Sequence, residues 1–205
     1  MFSLSKSDRI FLGFLILSLF LLSGWLFFEY NKRTGPGSNK QVGTIIFKHR
    51  KAQRKYEGQV IWEELDQKVP IYNKDSIRTE NLSEAVLVLN NGAEIKLDEK
   101  SLILINLGGD SLDINFAYGS MQAGGTGDMT ISSGGKKVAL KDSDVKLTGS
   151  AENIDLVVNK GEASVSSGGK TQKVNKDEKA SINQTGELNK SKISLKPVSP
   201  PDFAR

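Results

Sequence analysis

Residues 84–97 read EAVLVLNNGAEIKL. Two short apolar runs flank Asn90, Asn91 and Gly92. Asn and Gly tolerate positive φ, so the triplet is a turn signal, and the stretch reads as two strands joined by a tight turn. Working outward, Val86 and Val88, then Ile95 and Leu97, then Leu102 and Leu104 keep a period of two, that of a half-buried strand. No segment of helical period follows residue 28. The 20 glycines against 5 prolines in 205 residues fit many tight turns between short strands.

The pattern recurs. Residues 87–123 overlay on residues 129–165: Leu89 meets Ile131 and Gly92 meets Gly134. One extra residue beside Gly135 then brings Ile95 and Leu97 onto Val138 and Leu140, and Leu102 and Leu104 onto Val145 and Leu147. One residue is lost later, so that Leu112, Ile114, Phe116 and Gly119 meet Ile154, Leu156, Val158 and Gly161. A third, partial copy begins SSGGKTQKV at residue 166, echoes SSGGKKV at residue 132 and ends near Ile182. Units of this length cover one another's apolar faces by stacking, and the last copy is more polar, as a cap should be. The expected fold is all-β over residues 42–190, a β-solenoid-like or elongated β-roll or sandwich of repeated short strands.

Upstream, residues 10–28 read IFLGFLILSLFLLSGWLFF. This uncharged run is long enough to cross a hydrocarbon core of ~30 Å at ~1.5 Å per residue. A cleaved signal peptide fits less well, because LFFEY (residues 26–30) lacks a small-x-small cleavage site. We expect a short cytoplasmic tail (1–9), a single-pass transmembrane anchor (10–28), a linker (29–41) and, after the β domain, a proline-rich tail (191–205). Phe203 in that tail is a candidate docking anchor. Lys32, Arg33 and Lys40 follow the apolar run, so charge does not favour the N-terminus inside. The short leading tail and the long trailing domain do, which places the β domain outside the cytoplasmic membrane.

Net charge is +4, which permits contact with anionic lipid, peptidoglycan or an acidic protein and demands none of them. The chain lacks cysteine, which excludes disulfides, thiolate metal sites and a lipoprotein anchor. His49, the one histidine, lies among lysines and arginines, which argues against a His-based metal site or triad. GGKT at 168–171 resembles the end of a P-loop, but its leading glycine would fall at Ser164 and no apolar helix follows. Acidic residues are scattered through turns and nothing marks a glycosidase pair. The expectation is no enzyme, no metal and no cofactor. After a strand at 42–48, residues 49–55 read HRKAQRK. Lys48, Arg50, Lys51, Arg54 and Lys55 are candidate electrostatic contacts for anionic headgroups or wall polymer. A solvated hairpin whose cations guard an edge strand is the favoured reading. No aromatic platform interleaves with them, which argues against nucleic acid.

Trp62 is followed by Leu65, then by Asp75, Ile77, Arg78 and Thr79, a strand from Val86 to Leu89, Asn91 and Gly92, and a strand from Ile95 to Leu97. Over residues 42–156 this pattern resembles the FecR domain family, with Lys74 standing where the family usually has Gly. The resemblance implies an all-β periplasmic domain. Well-known members are cell-surface signalling regulators with a cytoplasmic anti-sigma segment and one membrane helix. Here only residues 1–9 precede the apolar run, so the anchor and β domain are expected without the signalling head. Asp75 and Thr79 are expected to fix a corner by accepting backbone N–H groups, Arg78 is close enough in sequence to pair with Asp75, and Trp62 is expected in the core. The functional expectation is a bacterial inner-membrane protein with its C-terminal domain in the periplasm, a non-enzymatic adaptor or scaffold in an envelope assembly such as a secretion or motility machine. Envelope signal transduction is the alternative and cell-wall binding the third reading; self-association stays open.

Overall fold

The computed structural model describes residues 5–30, 35–108 and 111–193 and divides into two units, residues 1–35 and 36–205. The first unit is helix α1 (Lys6–Tyr30). Its first turn closes with Arg9 N donating to Ser5 O (3.1 Å), and the Asp8 side chain caps the start by accepting Ser5 N at Oδ2 (3.1 Å). The stretch Lys6–Phe28 has a mean hydropathy of 2.4 and is long and apolar enough to cross a membrane. Ile10, Phe20 and Trp25 are exposed along it. The helix begins four residues before the apolar run and takes in Glu29 and Tyr30 after it.

The second unit is a 17-stranded sheet. Its first strands are β1 (Gln41–His49), β2 (Ala52–Lys55), β3 (Glu63–Glu64), β4 (Pro70–Tyr72), β5 (Ser76–Thr79) and β6 (Glu84–Leu89). Next come β7 (Ala93–Leu97), β8 (Leu102–Gly108), the long β9 (Ser111–Gly125), β10 (Met129–Ser133), β11 (Lys136–Leu140) and β12 (Asp144–Ser150). The last are β13 (Ile154–Lys160), β14 (Glu162–Ser167), β15 (Lys170–Asn175), β16 (Glu178–Ile182) and β17 (Leu188–Lys192).

Hydrogen-bonded pairing runs in two branches that share β9. One is β4–β1–β6–β7–β9–β12–β13–β16–β17. The other is β3–β2–β5–β8–β9–β10–β11–β14–β15. The first part of β9 pairs with β8 and β10, and its second part with β7 and β12. Among the described residues only β9–β10 is parallel. Strands β3, β4, β15 and β17 each have one neighbour among the described residues, so the all-β domain expected from the sequence is an open sheet and not clearly the solenoid among the forms it allowed. Strands β1 and β2 lie in different branches, so the basic stretch between them is a crossover turned at Arg50 (φ 55°), where a hairpin was expected.

Two sets of strands share a pairing pattern. Ile95↔Ala123 and Leu97↔Met121 in β7–β9 correspond to Val138↔Val165 and Leu140↔Ala163 in β11–β14. Likewise Ile103↔Phe116 and Ile105↔Ile114 in β8–β9 correspond to Val145↔Val158 and Leu147↔Leu156 in β12–β13. The ladder therefore sets Ile103 and Ile105, not Leu102 and Leu104, against Val145 and Leu147. It also sets Leu87, not Leu89, against Ile131. Turn lengths explain both shifts: residues 98–101 join β7 to β8, whereas the shorter 141–143 joins β11 to β12. Residues 90–92 turn β6 into β7 with Gly92 at φ 88°, whereas Gly134 and Gly135 (φ 54° and 80°) form a two-residue turn between β10 and β11.

The phase inside two strands also differs from expectation. Ala85, Leu87 and Leu89 are buried while Val86 and Val88 are half-buried; Ile103 and Ile105 are buried while Leu102 is half-buried and Leu104 is exposed. Runs such as AVLVL and LILI are apolar on both faces, so alternation cannot say which face is inside. Pairing decides it: Leu87 faces Ile95 and Ile103 faces Ile77. The inward side chains of both branches form one core, from Val42 through Phe116 to Ile182. Each fully buried Leu, Ile or Phe there contributes roughly 1.5–3 kcal/mol relative to exposure.

Candidate functional site

Two groups of motif residues lie close together, a buried corner and an exposed face. The corner is the turn from β4 to β5, residues 72–76. Lys74 has φ 66°, which explains why a glycine suits this position. Asp75 is fully buried. Its Oδ2 accepts Tyr72 N (2.9 Å), and its Oδ1 has no hydrogen-bond partner. The corner is locked onto β8: Lys74 N donates to Ile105 O (2.8 Å), Ile105 N to Asp75 O (3.0 Å), and Leu107 N to Asn73 Oδ1 (2.7 Å). Burial pushes the Asp75 carboxyl up to about 6, against the Tyr72 N–H and the Arg54 cation that hold it down, with Glu63 adding to the rise. Thr79 clamps the next turn, donating to Asp98 O (2.5 Å) and accepting from Ser101 N (3.0 Å). Ile77 and Leu65 are buried in the core. Asn91 Oδ1 accepts Ala93 N (3.1 Å), and its amide donates to Asp128 O (3.0 Å), which shapes the turn around Gly92.

Arg78 does not pair with Asp75. Along an extended strand, residues three apart point to opposite faces, so Asp75 faces inward and Arg78 outward. Arg78 Nε donates to Gln53 Oε1 (2.8 Å), and its guanidinium lies 4.2 Å from the Trp62 ring centroid. Lys55 Nζ lies 5.2 Å from the same ring. Trp62 is thus half-buried on the outer face, not in the core: it precedes the two-residue β3, which pairs with β2 at the margin of its branch. Register extends this face across the branch as Gln53, Arg78, Leu102 and Tyr118. Leu104 is 36% and Tyr118 44% exposed, and the adjoining turn exposes Val60 and Ile61.

Most of the basic stretch is engaged. Lys48 pairs with Glu64 (3.1 Å) and Asp66 (3.9 Å), and Lys51 with Glu80 (3.3 Å). Arg54 donates to Pro70 O (2.9 Å), approaches Glu63 (3.8 Å) and lies 4.1 Å over the Tyr56 ring. Arg50 is exposed at its turn. Lys136 was not singled out by sequence: it is buried and donates to Ala151 O (2.7 Å) and Glu152 O (2.9 Å), pinning the turn from β12 to β13. Phe203 lies outside the described residues. Among the described residues, no group of three or more His, Cys, Asp or Glu side chains could hold a metal ion.

No family model matches the chain. An uncharacterized protein of Treponema pallidum is 29% identical over 137 residues, which are 64% of this chain and 20% of that protein. The chain thus spans about a fifth of that relative's length. Two crystal structures of a candidate anti-sigma factor from Parabacteroides distasonis share the fold, with TM-scores of 0.50 and 0.51, 14% identity, and coverage of 57% of this chain and 59% of that one.

Proposed function

We propose that this chain is a membrane-anchored, non-enzymatic component of envelope signal transduction, whose β domain receives a protein partner. The observation that carries this reading is the fold shared with the candidate anti-sigma factor, in a chain whose α1 is long and apolar enough to cross a membrane. The motif resemblance to the FecR family, from Trp62 through Gly92, points the same way. On this reading the chain resides in a bacterial inner membrane with residues 36–205 in the periplasm. The test is transcript profiling of a deletion strain complemented with the whole chain. A defined set of transcripts that changes on deletion and returns on complementation supports signalling; an unchanged transcriptome refutes it.

A second reading, an adaptor in an envelope assembly, is favoured by the face of Trp62, Leu102, Leu104 and Tyr118, which leaves large apolar groups in water. The chain has no cysteine, so single cysteines on this face can carry a crosslinker in cells. Several envelope proteins recovered at fixed ratios, with transcription steady, would select the adaptor. Wall binding has less support, because most of the basic stretch is already paired within the domain.

A further inference from the structure

We propose that Val60, Ile61 and Trp62, with Lys55 and Arg78 beside them, form a docking surface for an anionic lipid bilayer. The segment is an irregular turn between β2 and β3. Gly58 takes φ 69°, and Gln59 N donates to Tyr56 O (3.2 Å), which reverses the chain and projects the next residues outward. Val60 is 88% and Ile61 58% exposed. Adjacent β-branched aliphatics this exposed gain free energy from any apolar cover. Trp62 follows them, and its indole N–H has no hydrogen-bond partner among the described residues. An indole beside aliphatic residues suits the headgroup boundary, with its ring toward the acyl chains and its N–H toward ester oxygens or water.

The charge beside this tip is positive. Lys55 and Arg78 lie against the Trp62 ring, and neither meets a carboxylate in an ion pair among the described residues. The acidic groups nearby are occupied: Glu57 by Lys74 (2.6 Å), Glu63 by Arg54 (3.8 Å) and Glu64 by Lys48 (3.1 Å). An apolar tip flanked by uncompensated cations matches the order of groups met on entering an anionic leaflet, phosphate first and hydrocarbon below. A bilayer fits better than an acidic peptide for two reasons. The exposed apolar residues lie on a turn, and the free edge that follows it, β3, is two residues long and offers a peptide too short a ladder; the same chain also carries a helix able to cross a membrane, so a bilayer surface is at hand.

The test uses the full chain. Trp25→Phe leaves Trp62 as the one indole, since the chain has two tryptophans. The protein is reconstituted into vesicles of phosphatidylcholine alone, or of phosphatidylcholine with phosphatidylglycerol, each containing lipids brominated at a shallow acyl position. Trp62 emission is expected to shift to the blue and to be quenched in the phosphatidylglycerol vesicles, less so at high salt, and weakly in phosphatidylcholine. Val60→Ser with Ile61→Ser should abolish the quenching. Lys55→Gln with Arg78→Gln should reduce it to the level in phosphatidylcholine. Because these side chains are exposed or on the outer face, far-UV circular dichroism should be unchanged. Trp62 unquenched in both vesicles, with the β signature intact, overturns the proposal, as does quenching indifferent to the serine pair. An unquenched Trp62 whose emission shifts on adding polyglutamate would assign this face to an acidic protein partner instead.

Discussion

Replacing Asp75 with Asn should make the protein more stable at neutral pH and leave it little changed in acid. The carboxylate is fully buried, Oδ2 accepts Tyr72 N (2.9 Å), and Oδ1 has no partner. Burial raises its pKa from the ordinary 3.8 to about 6. The folded state therefore holds the proton more tightly than the unfolded chain. Its contribution to stability is fully present below about pH 4 and is lost as pH rises through about 6. The shift of about two units corresponds to about 3 kcal/mol between those limits. Asn keeps an oxygen for Tyr72 N–H and carries no charge. The stability of Asp75→Asn minus that of the parent should thus climb by up to about 3 kcal/mol from pH 4 to pH 7.5 and then level off. The assay is urea unfolding of the full chain in detergent micelles, followed by Trp62 fluorescence in a Trp25→Phe background across that pH range. A difference independent of pH, or one that falls as pH rises, would refute the reasoning. Asp75→Ala is a control for the hydrogen bond: it strands Tyr72 N–H and adds a penalty of about 1–3 kcal/mol at every pH.

Four further substitutions test the fold in the same unfolding assay. Ile103→Ala should cost about 3 kcal/mol and Leu104→Ala under about 1, and equal costs would reverse the assigned faces of β8. Gly119 has φ 110°, and a Cβ there would overlap Ser101 and Lys100 O. Gly119→Ala should lower stability by about 3 kcal/mol or more and break the Ser101–Ser120 hydrogen bonds; an unchanged unfolding midpoint would contradict this. Lys74→Gly should raise stability by about 0.5–1 kcal/mol by relieving a left-handed backbone, since the Lys74–Glu57 pair it removes is half exposed and contributes little. A fall in the midpoint would mean that the ion pair outweighs the strain.

Strand content was legible because period two and glycine turns are local signals. Asn91–Gly92 and the two SSGG segments each mark a turn, and Gly92 and both glycine pairs take positive φ in the structure. Phase was not legible where both faces of a strand are apolar. In LILI (residues 102–105), the choice between Leu and Ile as the inward pair depends on β5 and β9, where the partners of Ile103 are Ile77 and Phe116, both distant in sequence. Branch assignment was hidden for the same reason, since β1 and β2 are adjacent in sequence yet pair with different neighbours. The corner at Asp75 could be anticipated from residue types alone, because a short carboxylate after a left-handed residue tends to accept a nearby backbone N–H. The Trp62 face could not. It joins three segments, and a tryptophan near a leucine reads as core unless a partner cation is known. The alternation of Ile77 with Arg78 held the missing signal: if Ile77 is inside, Arg78 and whatever stacks on it are outside.

Exposed apolar groups are unevenly distributed over the β domain. Ile46, Phe47, Val60, Ile61, Leu82, Leu104 and Tyr118 all precede residue 119, and among the described residues beyond it only Ile193 joins them. Strands β10 to β17 bury most of their apolar residues, with Val157 and Leu188 half-buried, and leave largely polar side chains outward. That half extends both branches and adds to the core without adding a sticky surface. Leu82 sharpens the contrast: it is 61% exposed and held at φ 53°, a conformation unfavourable for a γ-branched side chain, while Glu99 accepts its N–H (2.6 Å). Neither the core nor the ladder requires a leucine there, and an Asn or Gly would sit at lower cost. If the β domain binds a partner or lipid as proposed, the half that carries the Trp62 face is the one expected to do so, and substitutions on the outer faces of β10 to β17 should leave that binding unchanged.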